Sequence, residues 1–204
     1  MNGLVRVVDL NAIGWRGIRV RKQNIEHLIH KYAQNLIKKR KPLRILDIAS
    51  GHGRYILDAV EQLPKQPDSI LLRDYSEINV NAGQQMIADR ELSDIAQFVK
   101  ADAFDTESLA NIKPKPTLAV VSGLYELFSD NDLLRQSLNG LSKAVAKDGY
   151  LIYTGQIWHG ISWRPTCITA TPNSSSPMIR FSLRPLPDRS CESRRLTSPI
   201  STLY

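Results

Sequence analysis

A chain of 204 residues and 23.0 kDa, 42% hydrophobic and 23% charged, has the composition of a soluble globular domain with a sizeable core. No apolar run reaches the roughly 20 residues needed to cross a bilayer, and Met1 to Asp9 lacks the basic start and apolar centre of a signal peptide, so a cytoplasmic protein is expected. The net charge of +7 invites a nucleic-acid reading, but residues 159–204 carry six Arg against Asp188 and Glu192, more than half of the excess.

In the body, Lys38-Lys39-Arg40-Lys41 is the only basic cluster, and it ends a predicted helix, where cations complement the dipole. Nucleic acid is therefore disfavoured as a partner. Cys167 and Cys191 lack C-x-x-C spacing, and His27, His30, His52 and His159 form no ligand set, so neither a metal nor a disulfide is expected.

In chain order, the glycine-punctuated segment Asn11 to Arg19 reads as a loop folded onto the body. Ile25, Leu28, Ile29, Tyr32, Leu36 and Ile37 recur at three and four, predicting an amphipathic helix from about residue 20 to 39 that Pro42 ends. Ile45, Leu46, Ile48 and Ala49 form a run suited to a strand buried on both faces, interrupted by the carboxylate of Asp47. Ser50-Gly51-His52-Gly53 then gives way to Tyr55, Ile56, Ala59, Val60 and Leu63 at helical spacing. Strand, glycine turn and helix follow one another, a geometry in which a ligand touches bare backbone.

Further strands are predicted at 69–74, 97–101, 117–122 and 150–154, with helices from Ser76 to about Leu92 and behind Ser129 and Asp132, which have capping-box spacing. The five-fold alternation argues for a parallel sheet with helices on both faces and right-handed crossovers. Asp74 ends the second strand 21 positions after Gly53, close to the spacing of about 20 at which an acid holds ribose hydroxyls. Gly123 to Phe128 falls at the carboxyl end of the fourth strand, where open α/β sheets place ligands.

A dinucleotide fingerprint requires a third glycine where Ile56 stands, and a P-loop requires a lysine that the turn lacks, which disfavours a nicotinamide oxidoreductase. Asp47-Ile-Ala-Ser-Gly-His-Gly53 instead resembles the first motif of class I S-adenosylmethionine-dependent methyltransferases, with Ala49 in the place of the first glycine. Residues 10–19, 49–55, 71–76, 122–128 and 153–159 together resemble a bacterial methyltransferase domain often found fused behind an α/β-hydrolase domain.

That resemblance implies an S-adenosyl-L-methionine cofactor and a small-molecule acceptor. It places Asp47, Ala49, Gly51 and Gly53 at the methionine end, Asp74 at the ribose and Asp102 at the adenine, although Asp102 equally suits a turn cap. Tyr125 and Glu126 would face the transferring methyl, with Glu126 either a general base or an electrostatic group. Trp15, Arg16, Trp158 and His159 are candidate acceptor-side residues. The resemblance stops at His159. Residues 159–204 contain 9 Ser, 5 Thr and 6 Pro and no Lys, so the expected organisation is a cofactor-binding core at 1–158 and a tail that is disordered or, after a frame shift, non-native. The expected fold is therefore a Rossmann-like α/β sheet without the last two of the family's seven strands, leaving the fifth strand as an exposed edge.

Overall fold

In a computed structural model the chain is described over residues 13–159, 162–173 and 176–183, with side chains placed for 17–154. Helix α1 spans Ile13–Lys38, starting about two turns earlier than its apolar stripe predicts. Ile25, Ile29, Ala33 and Leu36 are all 1% exposed or less. Once that stripe is packed, extending the helix through Gly14 and Gly17 costs only about 1 kcal/mol per glycine. The expected loop at 11–19 is therefore helical from Ile13.

Strand β1 (Arg44–Ile48), helix α2 (Arg54–Glu61), β2 (Ser69–Asp74), α3 (Glu77–Asp89), β3 (Ala96–Lys100), the short α4 (Thr106–Ala110) and β4 (Leu118–Val121) follow. A single 3₁₀ turn (Tyr125–Leu127), α5 (Asn131–Ala144) and β5 (Tyr150–His159) complete the alternation. Helix α5 is capped by Asp130, whose side chain accepts from the Asp132 amide, not by the Ser129 box. Strands β1 to β5 are parallel and lie in the order β3-β2-β1-β4-β5. The chain therefore reverses direction across the sheet between β1 and β4, the topological switch point at which ligands settle beyond the carboxyl ends.

Past β5 the sheet does not stop. Strands β6 (Ser162–Asn173) and β7 (Ser176–Leu183) continue it, β6 antiparallel to β5 and β7 antiparallel to β6, for seven strands in all. The five-stranded parallel sheet is as expected, but the β5 edge expected to be exposed is covered: a free strand edge is a template for pairing, and the Thr- and Ile-bearing segment that follows pairs with it. No helix separates β5 from β6 among the described residues. Of the tail at 159–204 expected to be disordered or non-native, residues 160–161, 174–175 and 184–204 lie outside them.

Two packed layers enclose the sheet. On one face α1, α2 and α3 bring Ile25, Ile29, Leu36, Leu57 and Val80 against Ile45, Ile70 and Leu72; on the other, Leu109 of α4 and Leu141 of α5 cover Leu46, Ile48 and Val121. Each fully buried Leu or Ile contributes about 1.5–3 kcal/mol, so the two layers together fix the strand ends with little freedom. Among the described residues no helix is long and apolar enough to cross a membrane.

Helix and sheet approach closely at Gly83 of α3, where a Cβ would stand 2.1 Å from Cδ1 of Phe98 and 3.3 Å from the His52 carbonyl oxygen. Phe98 is itself 3% exposed and cannot swing outward. Gly83→Ala is expected to lower stability by about 1–3 kcal/mol, read as a fall in urea midpoint at unchanged slope. An unchanged midpoint would mean that the ring relaxes at no cost.

Candidate functional site

The bend after β1 places three of five consecutive residues in the left-handed region: Ala49 at φ 56°, Gly51 at φ 57° and Gly53 at φ 72°. Ser50 holds it to both strands, its amide donating to the Arg73 carbonyl at 3.0 Å and its hydroxyl to the Asp47 carbonyl at 3.0 Å. The glycines serve different ends. A Cβ on Gly53 would stand 2.5 Å from Leu72 Cδ1, so that glycine allows α2 to pack on β2. Around Gly51 a Cβ would meet nothing within 4 Å, so its bare backbone faces open space.

Asp74, 8% exposed at the end of β2, turns toward that bend. Its Oδ2 accepts the Gly51 amide at 2.9 Å, and its Oδ1 accepts the Ser76 amide at 2.9 Å and the Asn79 side-chain amide at 3.0 Å. Three donors fix the carboxylate and leave Oδ2 with capacity for one further donor.

Beneath it Asp47 is wholly buried, between Leu72 and Val120 in register. Its Oδ2 accepts the Tyr55 hydroxyl at 2.7 Å, while Oδ1 is buried with no partner. Burial pushes the carboxyl up to about 7, the Tyr55 hydrogen bond and the nearby Ser50 hydroxyl offsetting part of this and the Asp74 charge adding to it. An orphaned buried oxygen beside an open bend suits a cationic group brought by a ligand.

At the tip of β4, Gly123 takes φ 75° and donates its amide to the Thr154 hydroxyl at 2.8 Å, which in turn reaches Glu126 Oε2 at 3.3 Å. The Glu126 side chain, 7% exposed, forms an ion pair with Arg21 of α1, whose guanidinium also lies over Gly123. Tyr125 turns the other way. Its ring meets Tyr153 edge-on at 6.0 Å, its hydroxyl pairs with Ser137 at 2.9 Å, and burial pushes the phenol up to about 12.

The structure thus brings Asp47, Ala49, Gly51, Gly53 and Asp74 together and sets Glu126 on the neighbouring strand tip, but directs the Tyr125 hydroxyl into the core. Asp102 is exposed beyond β3, and its Oδ1 accepts the Phe104 amide at 2.8 Å, as a turn cap does. Arg73 is buried under the same loop and donates to Ser108 Oγ at 2.6 Å; burial lowers its pKa against the opposing charges of Asp105 and Asp102. The side chains of Trp15, Arg16, Trp158 and His159 lie outside the described residues. Tyr55, Asn79, Arg21 and Thr154 were missed from sequence. Tyr55 could have been suspected from its place on the first turn behind Gly53, whereas Arg21 sits 105 residues from Glu126 and no local pattern joins them. Among the described residues no three His, Cys, Asp or Glu gather as a metal set.

Two outcomes follow from the bend. Ala49 bears a Cβ in a conformation that costs an L-residue roughly 1–2 kcal/mol, so Ala49→Gly is expected to raise stability by up to about 1 kcal/mol after the entropy of glycine is deducted. A lower urea midpoint would show that the Cβ contributes packing that outweighs the strain. The folded-state pKa of Asp47 lies at about 7 against an ordinary 3.8, so between those values the native state holds a proton that the unfolded chain does not. That part of the stability is full below the lower value and is lost as pH rises through the upper one. Urea midpoints of the wild type should therefore fall between pH 4 and 7 relative to Asp47→Asn, and parallel curves would contradict this.

The family described as "Putative methyltransferase" matches residues 2–165. YnbC of Escherichia coli (strain K12), an uncharacterized protein, is 52% identical over 161 residues, 78% of this chain but 27% of that protein, so the chain spans about a quarter of its relative. Among solved structures, a possible exported protein from Bordetella parapertussis superposes with a TM-score of 0.63 at 14% identity, covering 78% of this chain and 49% of that one. The bifunctional kinase-methyltransferase WbdD gives 0.53 at 16% identity over 66% of this chain and 29% of its own, and the [4+2]-cyclase SpnF gives 0.51 at 17% over 67% and 46%. These likenesses show the Rossmann-like fold, and the match over 2–165 shows the lineage: the chain belongs to this methyltransferase family.

Proposed function

We propose that this chain is an S-adenosyl-L-methionine-dependent methyltransferase acting on a small-molecule acceptor, with the methyl group passing by in-line displacement. The observation that carries this reading is the hydrogen bond from the Gly51 amide to Asp74 Oδ2 at 2.9 Å, which places the acid of β2 against a bend open to solvent. Fold alone does not choose the reaction, since a cyclase shares it.

The residues present fit the cofactor. Asp47 offers its unpartnered Oδ1 to the ammonium of the amino-acid end, Gly51 lets that end lie on bare backbone, and Asp74 offers a lone pair to a ribose hydroxyl. Asp102 stands at the adenine side. When bound, the cofactor supplies a methyl group activated by a sulfonium. The chain contributes position and charge, with no covalent nucleophile, and such positioning is worth up to about 7–11 kcal/mol of barrier. Glu126 is the acceptor-side carboxylate. Paired with Arg21 and Thr154, it sets the charge at the β4 tip and holds that tip in place, while Tyr125 forms the packed floor beneath. The greater length of YnbC leaves room for a further domain, for which the family resemblance suggests an α/β-hydrolase.

A second reading, a truncated, inactive or weakly cofactor-binding fragment of such an enzyme, is favoured by Glu126 being committed to Arg21 and by three protein donors already on Asp74.

Calorimetric titration with S-adenosylhomocysteine tests the first part. Micromolar binding is expected, and Asp74→Asn is expected to weaken it by about tenfold or more, at roughly 1.4 kcal/mol per decade. Absence of binding to the wild type would overturn the cofactor assignment. Binding without consumption of S-adenosylmethionine across a broad panel of hydroxyl, amine and thiol acceptors would favour the second reading.

A further inference from the structure

Arg73 stands beside Asp74 at the tip of β2, and the proposed function gives it no part. Its backbone belongs to the bend: its amide donates to Ser50 Oγ at 3.3 Å and its carbonyl accepts the Ser50 amide at 3.0 Å. Its side chain leaves in another direction. In register with Ile48 of β1, it enters the layer that α4 covers, where the residue is 3% exposed.

There Nη2 donates to Ser108 Oγ at 2.6 Å, while Nη1 is buried with no partner. One neutral acceptor is poor compensation for a buried guanidinium. The compensating charge is on the loop from β3 to α4, where the exposed carboxylates of Asp105 and Asp102 oppose the effect of burial on Arg73. Asp105 also accepts the Ser108 amide at 2.9 Å, so Ser108 is gripped through its amide by the loop and through its hydroxyl by Arg73. The start of the loop is tied to the same strand tip, the Ala101 amide donating to the Asp74 carbonyl at 2.9 Å.

A methionine would fill this position without burying a charge, and exchanging a buried charge for an apolar side chain of similar volume is often neutral or stabilising. What the arginine adds is attraction between the strand tip and a loop that carries two carboxylates. We propose that Arg73 is the positioning residue of the adenine side: its guanidinium holds the loop at 101–105, and with it Asp102, in place relative to Asp74. The acid offered to the ribose and the acid offered to the base are then set by neighbouring residues of one strand. This inference rests on the cofactor reading above.

The test compares calorimetric titrations of the full chain with S-adenosylhomocysteine and with S-inosylhomocysteine, whose base carries a carbonyl where adenine has its amine. A carboxylate accepts from the amine and repels the carbonyl, so the wild type is expected to prefer the adenine ligand by about tenfold or more. In Arg73→Met the preference is expected to fall to within about threefold, chiefly through weaker S-adenosylhomocysteine binding, with the urea midpoint held or raised. Arg73→Lys keeps the charge and is expected to recover part of the preference. Ser108→Ala, at an exposed position, removes the guanidinium's acceptor and is expected to lower the preference by a smaller factor, a result that stands even if Arg73→Met does not fold. No binding of S-adenosylhomocysteine to the wild type would overturn the cofactor reading itself. With that binding intact, the positioning role alone is overturned by equal wild-type affinity for the two ligands, by a preference undiminished in Arg73→Met and Ser108→Ala, or by an equal loss of both ligands in Arg73→Met.

Discussion

One hydrogen bond organises the site: the Gly51 amide on the Asp74 carboxylate at 2.9 Å. A bond to a charged acceptor is worth about 1.5–3 kcal/mol, and here it joins the turn behind β1 to the tip of β2 across the sheet. Its geometry requires a backbone at φ 57° with no Cβ contact, parallel strands in register, and a carboxylate oriented by Ser76 and Asn79. Disturbing any of the three moves the acid relative to the bend.

The same bend explains why a carboxylate sits in the centre of a buried strand. Asp47 has one oxygen on Tyr55 and one on nothing, an arrangement that costs the isolated chain stability and that a cationic ligand group would relieve. Local strain and an unsatisfied group within a few residues of each other fit the cofactor site proposed at the bend. The β4 tip is built on the opposite principle. Glu126, Thr154 and the Gly123 amide are tied to one another and to Arg21, so that side is held rigid by protein partners.

Arg21 also gives α1 a part beyond packing. Its stripe of Ile25, Ile29 and Leu36 covers one face of the sheet, while its first turns carry a guanidinium to the carboxyl end of β4. The amino-terminal helix and the glycine turn therefore approach the switch point from different directions.

The chain's own pattern determined the five parallel strands and the long helices between them, though not the short helix Thr106–Ala110, because burial on two faces leaves a pattern in the chain itself, and the run Ile45 to Gly53 with Asp74 marked the candidate site because strand, turn and spacing are local properties. Tertiary structure decided the rest. Whether Gly14 and Gly17 end a helix or lie within it depends on how firmly Ile25 and Ile29 are packed further along; whether β5 keeps a free edge depends on the segment that pairs with it; and whether Tyr125 or Glu126 faces the switch point depends on Ser137 and Arg21. Each of these rests on partners distant in sequence, joined only when the chain is closed, so no window of the sequence contains the answer.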